Sequence, residues 1–224
     1  HKGVPLQSGM GSSAASAAAA AVAANALLEA PLAVHELLPF ALEGEKYASG
    51  GLHADNVAPS LLGGLVLCPE VLLPDVVSLP VPQGISAALI HPNLQVNTAH
   101  ARRGLAKGYP MKQWLAQQGL LAGFIAACSA SDIDLIAKTL RDVIIEPQRK
   151  DNVPCFDAVK EAAMRRGALG CSLSGSGPSI FALCKVGDAR NVASAMEQAC
   201  RAQGIACQSW VSPMTAPGAT IESS

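Results

Sequence analysis

No block of like charge runs along this sequence, although it carries 16 basic and 17 acidic residues for a formal net charge of -1. That absence argues against nucleic acid or an anionic lipid surface as a partner and favours a small molecule. A C-x-x-C pair is missing as well. The seven cysteines are scattered at Cys68, Cys128, Cys155, Cys171, Cys184, Cys200 and Cys207. An odd, unclustered set argues against a disulfide framework and reads as buried free thiols in a reducing cytosol. The alanine-rich run from Ala14 to Ala24 is too short to span a bilayer, and no basic-then-apolar signal segment opens the chain. The expectation is a soluble cytoplasmic protein with no membrane partner. The Walker-type phosphate loop G-x-x-x-x-G-K-S/T is also missing.

What is present is apolar and well punctuated. Half of the 224 residues are hydrophobic, enough for one large domain or two small ones without metal or disulfide staples. Strong helix formers run from Ser12 or Ser13, either of which can N-cap, to about Leu28. A short mixed segment, Lys2 to Gln7, precedes them as a strand end. Pro31 separates a second helical stretch, Leu32 to Ala48, with leucines on one face. His53 to Pro59 reads as a polar loop and Gly63 to Cys68 as a buried strand. Four prolines between Pro69 and Pro82 mark a boundary, giving expected domains at 1–80 and 81–224. Beyond it the pattern predicts strands at Ile85–Ile90, Cys171–Ser174, Ile180–Lys185 and Ala206–Val211. Helices are predicted at Met111–Cys128, after a Ser131 cap with Asp134 in the capping-box place, at Phe156–Arg166 and at Ala189–Gln203. Strands and helices alternate without a clean parallel series, which favours an α+β fold.

The segment Gly9-Met10-Gly11-Ser12-Ser13 stands at a predicted helix start. Glycines there let the backbone approach a ligand closely, while free N–H groups and the positive helix end favour phosphate. The serine hydroxyls can meet phosphate oxygens or magnesium. Gly9, Gly11 and Ala14 also fit the relaxed dinucleotide fingerprint G-x-G-x-x-A, which requires a strand after the helix and an acidic residue on the ribose. Glu29 has the right distance, but the following stretch continues in helical style. A glycine turn that merely caps a helix is the third reading.

Pro5 and the run Gly9, Met10, Gly11, Ser12, Ser13, Ala14, Ala15 resemble the second motif of the GHMP small-molecule kinases, P-x-x-x-G-L-G-S-S-A-A, with Met10 in the leucine place. Ser174-Gly175-Ser176-Gly177-Pro178-Ser179 is similar to the family's third motif, a turn that packs beside the phosphates. The resemblance implies ATP as the nucleotide, held by Pro5, Gly9 to Ala14 and Ser174 to Gly177. The fold it implies is the two-domain GHMP kinase fold. That is the remainder of a ribosomal protein S5 domain 2-like N-terminal domain plus a ferredoxin-like C-terminal domain.

Within that superfamily, His53-Ala54-Asp55-Asn56-Val57-Ala58-Pro59 followed by Gly63-Gly64 resembles the loop typical of homoserine kinases. Thr98-Ala99-His100-Ala101-Arg102 and Glu146-Pro147-Gln148-Arg149 do so too. The resemblance implies a homoserine pocket from His53, Asp55, Thr98, Arg102 and Arg149, with Asp55, Asn56 and Arg102 at the reacting groups. A zwitterionic amino acid needs a carboxylate for its ammonium, which suits Asp55, and a guanidinium fork for its carboxylate, which suits Arg102 or Arg149. Glu45, eight residues before His53, has the spacing of the family's magnesium-binding glutamate, with Glu43 as competitor; Ser12 or Ser13 would complete the metal's protein share. The implied reaction moves the γ-phosphoryl of ATP to the side-chain hydroxyl of L-homoserine, an early step of threonine biosynthesis. No match for the aspartate–lysine base of some GHMP kinases occurs. Another GHMP kinase, acting on mevalonate, a sugar or threonine, is one alternative; a catalytically silent ATP-binding module is the other. Homodimers are common in the family. Its first motif, P-x-x-x-x-N-L-G-x-G-x-D, has no equivalent here, so the expectation is a truncated or partly represented family member.

Overall fold

A computed structural model describes residues 1–49, 53–94 and 105–222. The chain forms two compact units. One comprises His1–Leu6, Met10–Val81 and Thr215–Ser224; the other comprises Gln7–Gly9 and Pro82–Met214.

In the first unit, α1 (Ser12–Asn25) is built almost wholly of alanine and serine, with alanine the strongest helix former. It buries Ala14, Ala18 and Val22, spaced four apart on one face, against Leu37, Leu38, Ala41 and Leu42. Those residues belong to a 3-10 turn (Val34–Leu37) and to α2 (Leu38–Ser49). Small side chains let α1 and α2 approach closely. A Cβ added to Gly44 would stand 3.2 Å from Ala17 Cβ. The first helix ends at Asn25 rather than Leu28, because the Asn25 amide clamps the Leu32 backbone: its Nδ2 donates to Leu32 O (3.0 Å) and its Oδ1 accepts from Leu32 N (2.8 Å). Pro39 is tolerated in the first turn of α2, where its missing N–H has no intrahelical partner to lose.

The expected polar loop at 53–59 is instead a helix, α3 (Ala54–Leu62). Its Ala54, Val57, Ala58 and Leu61 are buried at helical spacing, and that burial outweighs the turn-forming character of Asp55, Asn56 and Pro59. The strand expected at Gly63–Cys68 shrinks to β1 (Leu65–Leu67), half-buried and paired antiparallel with β2 (Val77–Leu79). The chain returns at its far end, where Gly63 bridges Pro217 and Gly64 N–H donates to Ala216 O (3.1 Å). Lys2 to Gln7 forms no strand, and Gln7 adopts a left-handed φ of 52°.

The second unit contains β3 (Ile85–Pro92), α4 (Met111–Ala130), α5 (Ile133–Thr139), α6 (Glu146–Arg149), α7 (Phe156–Arg165), β4 (Ala168–Leu173), β5 (Ile180–Lys185), α8 (Ala189–Ala202) and β6 (Cys207–Pro213). The sheet order is β4-β5-β3-β6 with every neighbour antiparallel. With α7 and α8 as crossover helices, this is the split βαββαβ arrangement of a ferredoxin-like fold. Ala88, Ile90, Cys171, Ile180, Ala182 and Cys184 face Phe156, Val159 and Ala163 of α7 and Val192, Met196 and Cys200 of α8 in one apolar core. Ser131 does not cap α5. It closes α4 in the left-handed region (φ 54°), and Asp132 is the cap, its carboxylate accepting Leu135 N–H at 2.9 Å. No helix among the described residues is long and apolar enough to cross a membrane.

Candidate active site

The second unit stitches two glycine-rich segments together. The turn from β4 to β5 closes on itself, Ser174 N–H donating to Ser179 O (2.8 Å) and Gly177 N–H to Ser174 O (2.9 Å). It also grips the start of the first glycine loop: Ser179 N–H donates to Ser8 O (3.2 Å) and Ser174 Oγ to Gly9 O (2.9 Å). Gly9 sits at φ 76°, and a Cβ there would overlap the Ser174 carbonyl oxygen outright and lie 2.9 Å from Gly177 O. Gly175 (φ 59°) and Gly177 (φ 80°) take the same left-handed region. Among the predicted nucleotide residues, Gly9, Ser174 and Gly175 are thus in mutual contact, with Ser176 and Gly177 buried in the same turn.

Arg149 reaches this turn. Its Nη1 donates to Gly175 O at 3.0 Å. The short helix α6 that carries it is pinned from several sides. The Asp142 carboxylate accepts the N–H groups of Ile144 (2.8 Å), Ile145 (2.7 Å) and Glu146 (3.1 Å). Lys160 of α7 pairs with Glu146 at 2.5 Å. Gln113 and Gln117 of α4 clamp Val143 through its carbonyl and its N–H.

In the first unit, Gly11 is the N-cap of α1 at φ 70°, ψ 42°, with no side-chain cap and no acidic residue in the first turn. The expected serine cap is therefore absent: a residue at that left-handed position is best a glycine, and Ser12 Oγ is turned back to donate to Val4 O (2.8 Å). The amide of Asn56 packs against Gly11, where a Cβ would meet Asn56 Oδ1 at 2.8 Å. Ser13 Oγ donates to Glu45 Oε1 (3.1 Å), and Glu45 is a buried carboxylate, 3 % exposed. Its rival Glu43 lies on the surface, paired with Lys46. Among the other predicted residues, Pro5 and Met10 are half-buried, while Ala14 is fully buried and belongs to the core. His53 is half-buried just ahead of α3 and Asp55 is exposed in its first turn. Thr98 and Arg102 lie outside the described residues.

A groove of about 660 Å³ in the first unit is lined by Ala15, Ala19, Val22, Pro59, Ser60 and Pro217 among others, with no titratable side chain. Its chemistry is apolar packing. The cysteines offer no nucleophile either: burial pushes the thiols of Cys171 and Cys200 up to about 12. Burial first, then the charge of Asp55, raises that of Cys68.

The sequence matches the GHMP kinases N terminal domain over residues 1–64 and the GHMP kinases C terminal domain over residues 124–202. A homoserine kinase of Xylella fastidiosa (strain M12) is 44% identical over 221 residues, which is 98% of this chain and 68% of that protein. The crystal structure of a homoserine kinase from Cytophaga hutchinsonii superposes with a TM-score of 0.90 at 47% identity, covering 94% of this chain and 67% of that one. The chain belongs to the homoserine kinase family. Mevalonate kinase of L. major shares the fold alone, with a TM-score of 0.69 at 17% identity over 94% of this chain and 67% of that one.

Membership of the homoserine kinases sets aside the dinucleotide reading of Gly9, Gly11 and Ala14. The structure agrees with that on its own terms, because α1 leads into further helix rather than the strand a dinucleotide fold requires. The chain spans about two thirds of the length of these relatives. Sequence reasoning missed Ser8, His91, Asp142, Lys160 and the side chain of Ser179. Ser179 lies inside the Ser174–Ser179 motif and Asp142 four residues ahead of the Glu146-Pro147-Gln148-Arg149 run, but no local pattern named the partners these side chains meet.

Proposed function

We propose that the chain transfers the γ-phosphoryl group of ATP to the side-chain hydroxyl of L-homoserine, giving O-phospho-L-homoserine and ADP, a step of threonine biosynthesis. The observation that carries this reading is the identity of 44% to 47% with homoserine kinases along nearly the whole chain. The glycine turns and the uncapped start of α1 have the chemistry that the reaction needs. In the transfer, the homoserine oxygen forms a bond to the γ-phosphorus as the bond to the β,γ-bridging oxygen breaks. ADP departs, and the hydroxyl proton is released.

Each residue has a part in that scheme. The N–H groups of the first turn of α1 receive phosphate oxygens, and the Ser174–Gly177 turn, whose own Ser174 and Gly177 N–H groups are spent within the turn, is the family's second phosphate-side segment. Ser13 and Glu45 would hold Mg2+ through hard oxygen donors, and the ion would supply neutralisation of phosphate charge. Their juxtaposition at 3.1 Å fits such an ion, which needs only one or two protein oxygens beside phosphates and water. Asp55 takes the homoserine ammonium, and Arg149, with Arg102 and Thr98, takes its carboxylate, with His53 at the pocket wall. One N–H of Arg149 goes to Gly175 O, and the planar fork suits a carboxylate alongside. Catalysis then rests on positioning and charge neutralisation, with Asn56 and Arg102 beside the reacting atoms. We place the enzyme in the cytoplasm and expect a homodimer, which light scattering would test. ADP release measured with homoserine, threonine, mevalonate and galactose should show fastest turnover on homoserine. Faster turnover on any of the other three would defeat the assignment.

A further inference from the structure

Ser179 is a node of the second unit. It is fully buried, its N–H donates to Ser8 O and its carbonyl accepts Ser174 N–H, so one residue closes both glycine-rich segments. Its side chain points to a partner 88 residues away in sequence: Ser179 Oγ lies 3.0 Å from Nδ1 of His91. Strand register explains the meeting. The β3–β5 ladder runs to Ile90↔Ile180, so the next step outward sets His91 opposite Ser179 where the strand gives way to the turn. On its other side the His91 backbone is paired with Gln208 of β6.

We propose that His91 is a positioning residue for the nucleotide-binding turn, its imidazole bracing Ser179 and through it both Ser174–Gly177 and Ser8–Gly9. The inference rests on the reading of those segments as the phosphate cradle. With its proton on Nε2 the ring accepts the Ser179 O–H at Nδ1; with the proton on Nδ1 it donates to Ser179 Oγ. Burial lowers the basicity of His91 and keeps the ring neutral near pH 7, the form in which both tautomers are open to it. Losing the bond leaves a hydroxyl without its partner in a dry site and frees the end of β5 to shift. The turn, rather than the sheet, takes that shift, because the ladder behind it is continuous.

The test compares His91→Phe, His91→Asn, Ser179→Ala and the double variant His91→Phe/Ser179→Ala in the whole protein. The readouts are the Kd of a non-hydrolysable ATP analogue by calorimetry and the separate KM values of ATP and homoserine. His91→Phe should weaken the analogue and raise the ATP KM by about 3- to 10-fold, the worth of one hydrogen bond. The homoserine KM should stay within about twofold. Asparagine, whose amide reaches the place of Nδ1, should restore most of the affinity, and the double variant should be no weaker than the poorer single one. Should His91→Phe fail to fold, Ser179→Ala carries the same comparison with a smaller change. Unchanged ATP affinity in the single variants, equal damage to both KM values, or additive effects in the double variant would overturn the brace. If the wild-type protein itself fails to bind the analogue, the cradle reading falls, and the brace with it.

Discussion

Replacing Gly9 by alanine separates two costs that usually come together. Gly9 and Gly204 share the same left-handed φ of 76°, and both lie in the second unit. A Cβ on Gly204 would meet nothing within 4 Å, so Gly204→Ala carries only the conformational cost of about 1–2 kcal/mol. A Cβ on Gly9 would overlap the Ser174 carbonyl oxygen and press on Gly177 O at 2.9 Å and Gly177 N at 3.2 Å. To make room, the Ser174 carbonyl must withdraw by on the order of 1 Å, since packed interiors leave no slack. That movement strains the bond it accepts from Gly177 N–H and the one from Ser174 Oγ to Gly9 O, each worth about 0.5–1.5 kcal/mol. Overpacking adds roughly 1–3 kcal/mol. Gly9→Ala should therefore cost about 3–8 kcal/mol in urea denaturation. A displacement of that size next to the phosphates should also cut kcat/KM for ATP by on the order of 100-fold. Gly204→Ala should stay within about twofold of wild type in ATP kinetics. Equal denaturation midpoints and equal ATP KM values for the two variants would refute the reasoning.

Glu45→Gln keeps a hydrogen-bond acceptor for Ser13 but removes the charge. The magnesium concentration for half-maximal activity should rise by about tenfold or more, and an unchanged magnesium dependence would remove Glu45 from the metal site. Arg149→Lys retains the charge and loses the fork, so the homoserine KM should rise by about tenfold, with a smaller rise for ATP through the lost bond to Gly175 O. Wild-type homoserine kinetics in that variant would place the carboxylate elsewhere. Burial depresses the basicity of His91 below its ordinary 6.5, so the unfolded chain binds this proton more readily than the folded one. The stability that the neutral ring confers is complete above pH 6.5 and is lost as the pH falls from there through the lower folded value. Urea midpoints between pH 7.5 and 5.5 should thus decline less steeply in His91→Phe than in wild type; parallel declines would count against it.

Much of the second unit was legible because its residue types state their own backbone. The strands at Ile180 and Ile85 and the helices from Met111 and Ala189 fall within a few residues of expectation. The Ala189 helix buries Val192, Met196 and Cys200 at helical spacing, and the Ile85 strand alternates along most of its length. The misreadings arose where local chemistry and burial point in opposite directions. Asp55, Asn56 and Pro59 have the composition of a turn, yet Ala54, Val57, Ala58 and Leu61 already carry a helical stripe, and the stripe wins because it packs on α1 and α2. Ser131 and Asp132 are both good caps, and only the left-handed turn at the end of α4 selects the second.

The sequence by itself determined the family, the glycine positions that demand a left-handed backbone and the alanine face of α1. Each of these depends on residue type and short-range spacing, which a linear chain displays. The tertiary structure alone decided which side chains meet. Ser13 finds Glu45 across 32 residues, His91 finds Ser179 across 88, and Ser174 finds Gly9 across 165. That Glu45 is buried and Glu43 exposed turns on which face of α2 packs inward, and the His91–Ser179 pair turns on a strand register that one step would undo. Such contacts follow from how whole elements pack, and no short stretch of sequence contains that information.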